Sequence, residues 1–60
     1  MQTYEIAPHY DRWMMGDRLG DLVRISKFHT GPHKGESFAL LRMHRSGKLI
    51  RVLADDITPR

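Results

Sequence analysis

Apolar and polar residues alternate with period two in three stretches of the chain. In DLVRISKF (21–28), Val23 and Ile25 share one parity and Arg24 and Ser26 the other. In SFALLRMH (37–44), Ala39, Leu41 and Met43 oppose Arg42 and His44, and in KLIRVLA (48–54), Ile50, Val52 and Ala54 oppose Arg51. Such alternation marks strands with one buried face. No i, i+3, i+4, i+7 apolar pattern runs for more than two turns, so the pattern gives helix little support. In each strand the charged residue fixes the parity, because a one-residue slip would bury it. The expected interior is therefore Val23, Ile25, Ala39, Leu41, Met43, Ile50 and Val52.

The connections fit this reading. Ser46-Gly47 falls between the second and third strands, where glycine supplies the positive φ of a tight hairpin turn. HTGPHKGE (29–36), with two glycines, a proline and no apolar residue, predicts a flexible hairpin loop. MGDRLGD (15–21) predicts a bent or bulged entry into the first long strand. ADDITP (54–59) predicts a turn followed by Ile57 plugging one end of the fold. TYEIAP (3–8) alternates briefly, so residues 1–12 are expected as an N-terminal arm or edge strand and residues 13–58 as the body. Trp13 and Met14 are expected in the core.

The opposite parity also carries Leu22, Phe28, Phe38, Leu40, Leu49 and Leu53. A chain of 60 residues buries only ~60% of the surface its unfolded form exposes and cannot hide both faces. Large apolar patches are uncommon on soluble monomers. Either the N-terminal arm (Tyr4, Ile6, Tyr10) or a second copy should cover this face, and a homo-oligomer is the favoured expectation. With no cysteine, disulfides and thiolate metal sites are excluded, which fits a reducing, cytoplasmic setting. Met1–Pro8 lacks a basic segment followed by an apolar run, and no apolar stretch reaches the ~20 residues that span a bilayer, so no membrane association is expected.

Charge changes the picture further. The formal net charge is +3, unevenly placed. Residues 24–51 hold Arg24, Lys27, Lys34, Arg42, Arg45, Lys48 and Arg51 against Glu36 alone, whereas the segments on either side are net acidic. A positive field in mid-chain attracts phosphate-rich or acidic partners, and it also keeps a small sheet soluble.

The run MGDRLGDLVRI, a loop, two strands joined by RSGK and a closing ADDI resembles the SH3-like small β-barrels over residues 13–58. The order is similar to KOW-type barrels, with their GDxV opening, and to short phage- and plasmid-encoded barrel proteins of unassigned role. The latter show W-M-x-G-D-R near the start and a D-D-I/L turn near the end. The resemblance implies an all-β, SH3-like small barrel of about five short strands with a closing one-turn 3-10 helix. A weaker resemblance is to the plasmid-encoded type II dihydrofolate reductases, in MGDR (15–18), FAL (38–40) and HRSGKLIRV (44–52). That family is implied to work as a tetramer around one central pore, using a Val-Gln-Ile-Tyr run. Here the corresponding residues are Leu49, Ile50, Arg51 and Val52, so its polar substrate contacts do not carry over.

Catalysis within one copy is not expected. His29 and His33 stand four apart, but Gly31 and Pro32 break the loop, and zinc needs three or four fixed ligands. Asp55 and Asp56 are neighbours in a turn, where such side chains cap backbone rather than face a substrate. No Ser–His–Asp order or P-loop spacing is present. No catalytic residue, metal or cofactor is assigned. The candidate site is the basic face instead: Arg24, Phe28, Phe38, Arg42, His44 and Arg51, joined by Arg45 and Lys48 at the hairpin tip. Cations follow phosphates, and aromatics stack on unpaired bases. The expected function is a non-enzymatic binding module contacting nucleic acid through its phosphates. The alternatives are a protein-interaction or assembly module with an acidic protein or a second copy as partner, and a pore-type oligomeric reductase.

Overall fold

A computed structural model describes residues 2–60. Five strands, β1 (Thr3–Ile6), β2 (Leu19–Lys27), β3 (Ser37–Met43), β4 (Leu49–Leu53) and β5 (Ile57–Pro59), form one antiparallel sheet. A single helical turn, α1 (Asp11–Met14), follows β1, and a 3-10 turn, Ala54–Asp56, joins β4 to β5. The strand order is β4-β3-β2-β1-β5. The all-β class, the five short strands and the one-turn 3-10 helix are as expected. The ladder, however, ends at β4 on one side and β5 on the other, so among the described residues the sheet is open where a closed barrel was expected. The N-terminal segment is no edge strand: β1 lies between β2 and β5. Met1 of the expected arm lies outside the described residues.

β3 lies between β4 and β2 and carries the core. Ala39, Leu41 and Met43 point to one face and are fully buried, with Val52 of β4 and Ile6 of β1 against them. Register explains the alignment. Ala39 pairs with Val52 and Leu41 with Ile50 across β4, while Leu41 pairs with Leu22 across β2. Paired residues in an antiparallel ladder share a face, so Leu22, Ala39, Leu41, Ile50 and Val52 all point one way. Fully burying each such side chain contributes about 1.5–3 kcal/mol. The β3–β4 hairpin closes as its glycine requires: Gly47 has φ 73°, and its N–H donates to the Met43 carbonyl at 2.9 Å.

Three core expectations are corrected. Val23 is 49% exposed because a bulge between Leu22 and Arg24 inserts an extra residue, which turns Leu22 inward in its place. Ile25 keeps the expected parity, opposite Ala39, but lies beyond the covered part of the sheet and is 57% exposed. Met14, on the outer side of α1, is 71% exposed. Trp13 does pack against the core, its Nε1–H donating to Glu5 Oε2 at 3.0 Å while the Arg18 guanidinium lies 3.8 Å over the ring. The arm does not cover the outer face either. Ile6 enters the core on the inner side, and Ile57 joins it there as β5 begins.

Candidate functional site

The outer face of β2, β3 and β4 is a grid set by register. Ser26, Phe38 and Leu53 form one row, Arg24, Leu40 and Arg51 the next, and Asp21, Arg42 and Leu49 the third. Arg24, Arg42 and Arg51 therefore project from one side of the sheet, with Leu40 between Arg24 and Arg51. No two of them are directly opposed, since Arg42 faces Asp21 and Leu49. Their repulsion is therefore diagonal, and the long side chains can splay toward water or hold an anion between them.

Phe38 is buried at 7% exposure, even though its row faces outward. The half-buried Phe28 ring lies 4.8 Å away at 47°, and the Arg51 guanidinium lies 5.7 Å over the Phe38 ring. So Phe28 and the Arg51 guanidinium sit against Phe38, while Leu49 on the same face stays 50% exposed. Phe28 is placed by the chain turning out of β2: its N–H donates to the Glu36 carbonyl, and its carbonyl accepts from Gly35 N–H, both at 3.0 Å. Gly35 supports this turn with φ 88°.

Beside the pair lies a depression of 310 Å³, lined by Arg24, Ser26, Lys27, Phe28, His29, Thr30, Phe38 and Arg51. Four of the eight residues singled out from sequence meet here: Arg24, Phe28, Phe38 and Arg51. The lining contains no carboxylate, and among the described residues neither Arg24, Lys27 nor Arg51 has an acidic partner within 4.0 Å. Lys27, Thr30 and His29 complete the rim; that contribution depends on how the loop folds back over β2, and period-two reasoning gives no access to it.

The other four predicted residues diverge. Arg42 stays on the face, its Nη1–H donating at 3.5 Å to the Gly47 carbonyl, so it leans toward the hairpin tip. His44 Nε2 lies 2.9 Å from Asp21 Oδ1, which also accepts from Thr3 Oγ1 at 3.0 Å. The hydrogen bond from His44 first, then that from Thr3, holds the Asp21 carboxyl below the usual carboxylate range. Arg45 and Lys48 leave the face altogether. They line a separate hollow of 390 Å³ with Arg12, Met15, Asp17 and Ser46. There the buried Asp17 Oδ2 accepts from Ser46 Oγ at 2.8 Å and from Arg12 Nη1 at 3.3 Å. The turn at Gly47 rotates these two side chains away from the plane of the arginines.

Several other titratable groups have structural partners. Asp56 Oδ2 accepts from the Tyr10 hydroxyl at 2.8 Å and lies 3.4 Å from His9 Nε2. His33 Nδ1 lies 2.6 Å from Glu36 Oε2. Glu5 meets Trp13 and Arg60, and these bonds, Trp13 first, lower its pKa. His29 and His33 therefore face different surroundings, and among the described residues no three His, Asp or Glu side chains come together as a metal-ligand group. Compared with protein-family models, with curated proteins and with solved structures, the chain has no match. Among the described residues no helix is long and apolar enough to cross a membrane. Fold and site thus define a small open all-β sheet with arginines and aromatics gathered on one face.

Proposed function

We propose that the outer face of β2–β4 is a binding surface for single-stranded nucleic acid, and that the protein is a small non-enzymatic module of SH3-like type. One observation carries this reading. Arg24 and Arg51 flank Leu40 in a single row and open onto the Phe28–Phe38 pair, in a depression without any carboxylate. Guanidinium groups take phosphate oxygens in bidentate pairs, and a partly exposed aromatic ring takes the face of an unstacked base. Phe28 is the stacking ring; Phe38, beneath it, holds Phe28 and Arg51 in place. Arg42, in the next row toward the hairpin tip and opposite Asp21, adds a third cation to the same face.

The contacts are to phosphate and to ring faces, so the surface discriminates weakly between base sequences and strongly against high salt. Anisotropy of a fluorescently labelled, unstructured oligonucleotide tests this. Binding at low salt that weakens steeply as salt rises is expected. No binding at low salt refutes the proposal.

A further inference from the structure

We infer that the C-terminal half of β2 is a self-pairing edge, and that two copies join there in one register centred on Ile25. The β1–β2 ladder ends with Thr3 opposite Asp21, followed by one bond from Leu22 N–H to the Gln2 carbonyl at 3.3 Å. β2 runs on to Lys27 against β3 only, so among the described residues no strand pairs with 23–27 on the other side. The side chains displayed there include Val23 and Ile25, both large, aliphatic and about half exposed. An open strand edge with exposed aliphatics is a template for another strand.

A second copy fits this edge by its own symmetry. Antiparallel pairing of all five residues with their equivalents has one solution: Ile25 opposite Ile25, Arg24 opposite Ser26, and Val23 opposite Lys27. Aliphatic meets aliphatic at the two-fold axis, and no like charges stand directly opposed. The other free edges fail the same condition. Pairing all of β4 with itself centres on Arg51 and sets guanidinium against guanidinium. β5 has three residues, one of them Pro59. The bulge at Val23 lies at one end of the β2 segment and leaves 24–27 in regular register with β3. Joined in this way, two sheets become one, and their outer faces lie side by side with both Arg24 side chains near the seam.

The interface needs no nucleic acid, so it is tested on the free, full-length protein. Sedimentation equilibrium should give twice the 7.0 kDa chain mass as concentration rises toward millimolar. Ile25→Lys should return the single-chain mass with an unchanged far-UV spectrum. The chain contains no cysteine, so a single introduced thiol reports register. Directly opposed residues have Cα atoms about 4.5–5.5 Å apart, within the ~4.4–6.8 Å that a disulfide spans. Under mild oxidation Ile25→Cys should cross-link almost completely, more than tenfold faster than Arg51→Cys and only when folded. Because Ile25 and Arg51 are exposed, both variants should keep the fold, which the far-UV spectrum checks. A single-chain mass at every concentration overturns the inference, as does Arg51→Cys cross-linking faster than Ile25→Cys.

Discussion

Tyr10→Phe is the sharpest test of how the N-terminal segment is tied to the sheet. The ring packs against the core while the hydroxyl donates to Asp56 Oδ2 at 2.8 Å and accepts from Leu53 N–H at 3.1 Å. It thus links the segment after β1 to the end of β4 and to the 3-10 turn. The substitution keeps the ring and removes both bonds. Asp56 retains His9 at 3.4 Å, but the Leu53 N–H, in a half-buried place, loses its partner. Two bonds of about 1 kcal/mol each, partly recovered by water at a half-buried site, put the cost at about 1–2 kcal/mol. A core of this size supplies no more than ~3–5 kcal/mol, so this is a large share of the margin. With a urea slope near the lower limit for small domains, about 1 kcal/mol/M, the midpoint should fall by about 1–2 M. Urea unfolding followed by Trp13 fluorescence and far-UV circular dichroism measures it. Tyr4→Phe is the control, since the half-buried Tyr4 makes no side-chain hydrogen bond among the described residues, and its midpoint should barely move. If the two variants unfold at the same urea concentration, the Tyr10 clamp contributes nothing and the argument fails.

Two further outcomes follow from the same geometry. Gly20→Ala should destabilise by about 1–3 kcal/mol, as overpacking does, because a Cβ there would lie 2.8 Å from Met43 Sδ and 3.1 Å from the Arg42 carbonyl; thermal melting equal to the parent would contradict the packing of β2 on β3. Glu5 and Asp21 are both held below the usual carboxylate range, so their contribution is complete above that range and is lost as pH falls through their folded values. The urea midpoint should therefore stay level from neutral pH to about pH 5 and drop below about pH 4, with Asp21→Asn reducing that drop; an identical acid profile in the variant would show that the Asp21–His44–Thr3 contacts carry no linkage.

Much of the sheet was legible because period two and charge act together. In 37–43 and 49–53 each arginine fixed the outward parity, and Arg24, Arg42 and Arg51 do share a face. The hairpin at Gly47 was legible because only a positive φ closes it so tightly. The misses have separate causes. The bulge at Val23 carries no glycine or proline to announce it, and it exchanged Val23 for Leu22 in the core. Ile6 was expected only as part of an arm that was the less favoured cover for the outer face, yet it is one of the best-buried residues, because which neighbours β1 takes is a matter of long-range pairing. Of the candidate site, the strand residues could be placed by parity. Arg45 and Lys48 could not, because the turn that separates them from β3 and β4 breaks the alternation and sends them to the Asp17 hollow.

The salt dependence of oligonucleotide binding, compared between the parent and the Arg24→Ala/Arg51→Ala double variant, tests the central claim most directly. For a single strand each phosphate neutralised adds about 0.7 to the slope of log affinity against log salt, so losing two contacts should lower the slope by about 1.4. The loss of affinity should be similar for every base sequence. An unchanged slope in the double variant, with binding intact, would place the nucleic acid elsewhere on the molecule and contradict the account.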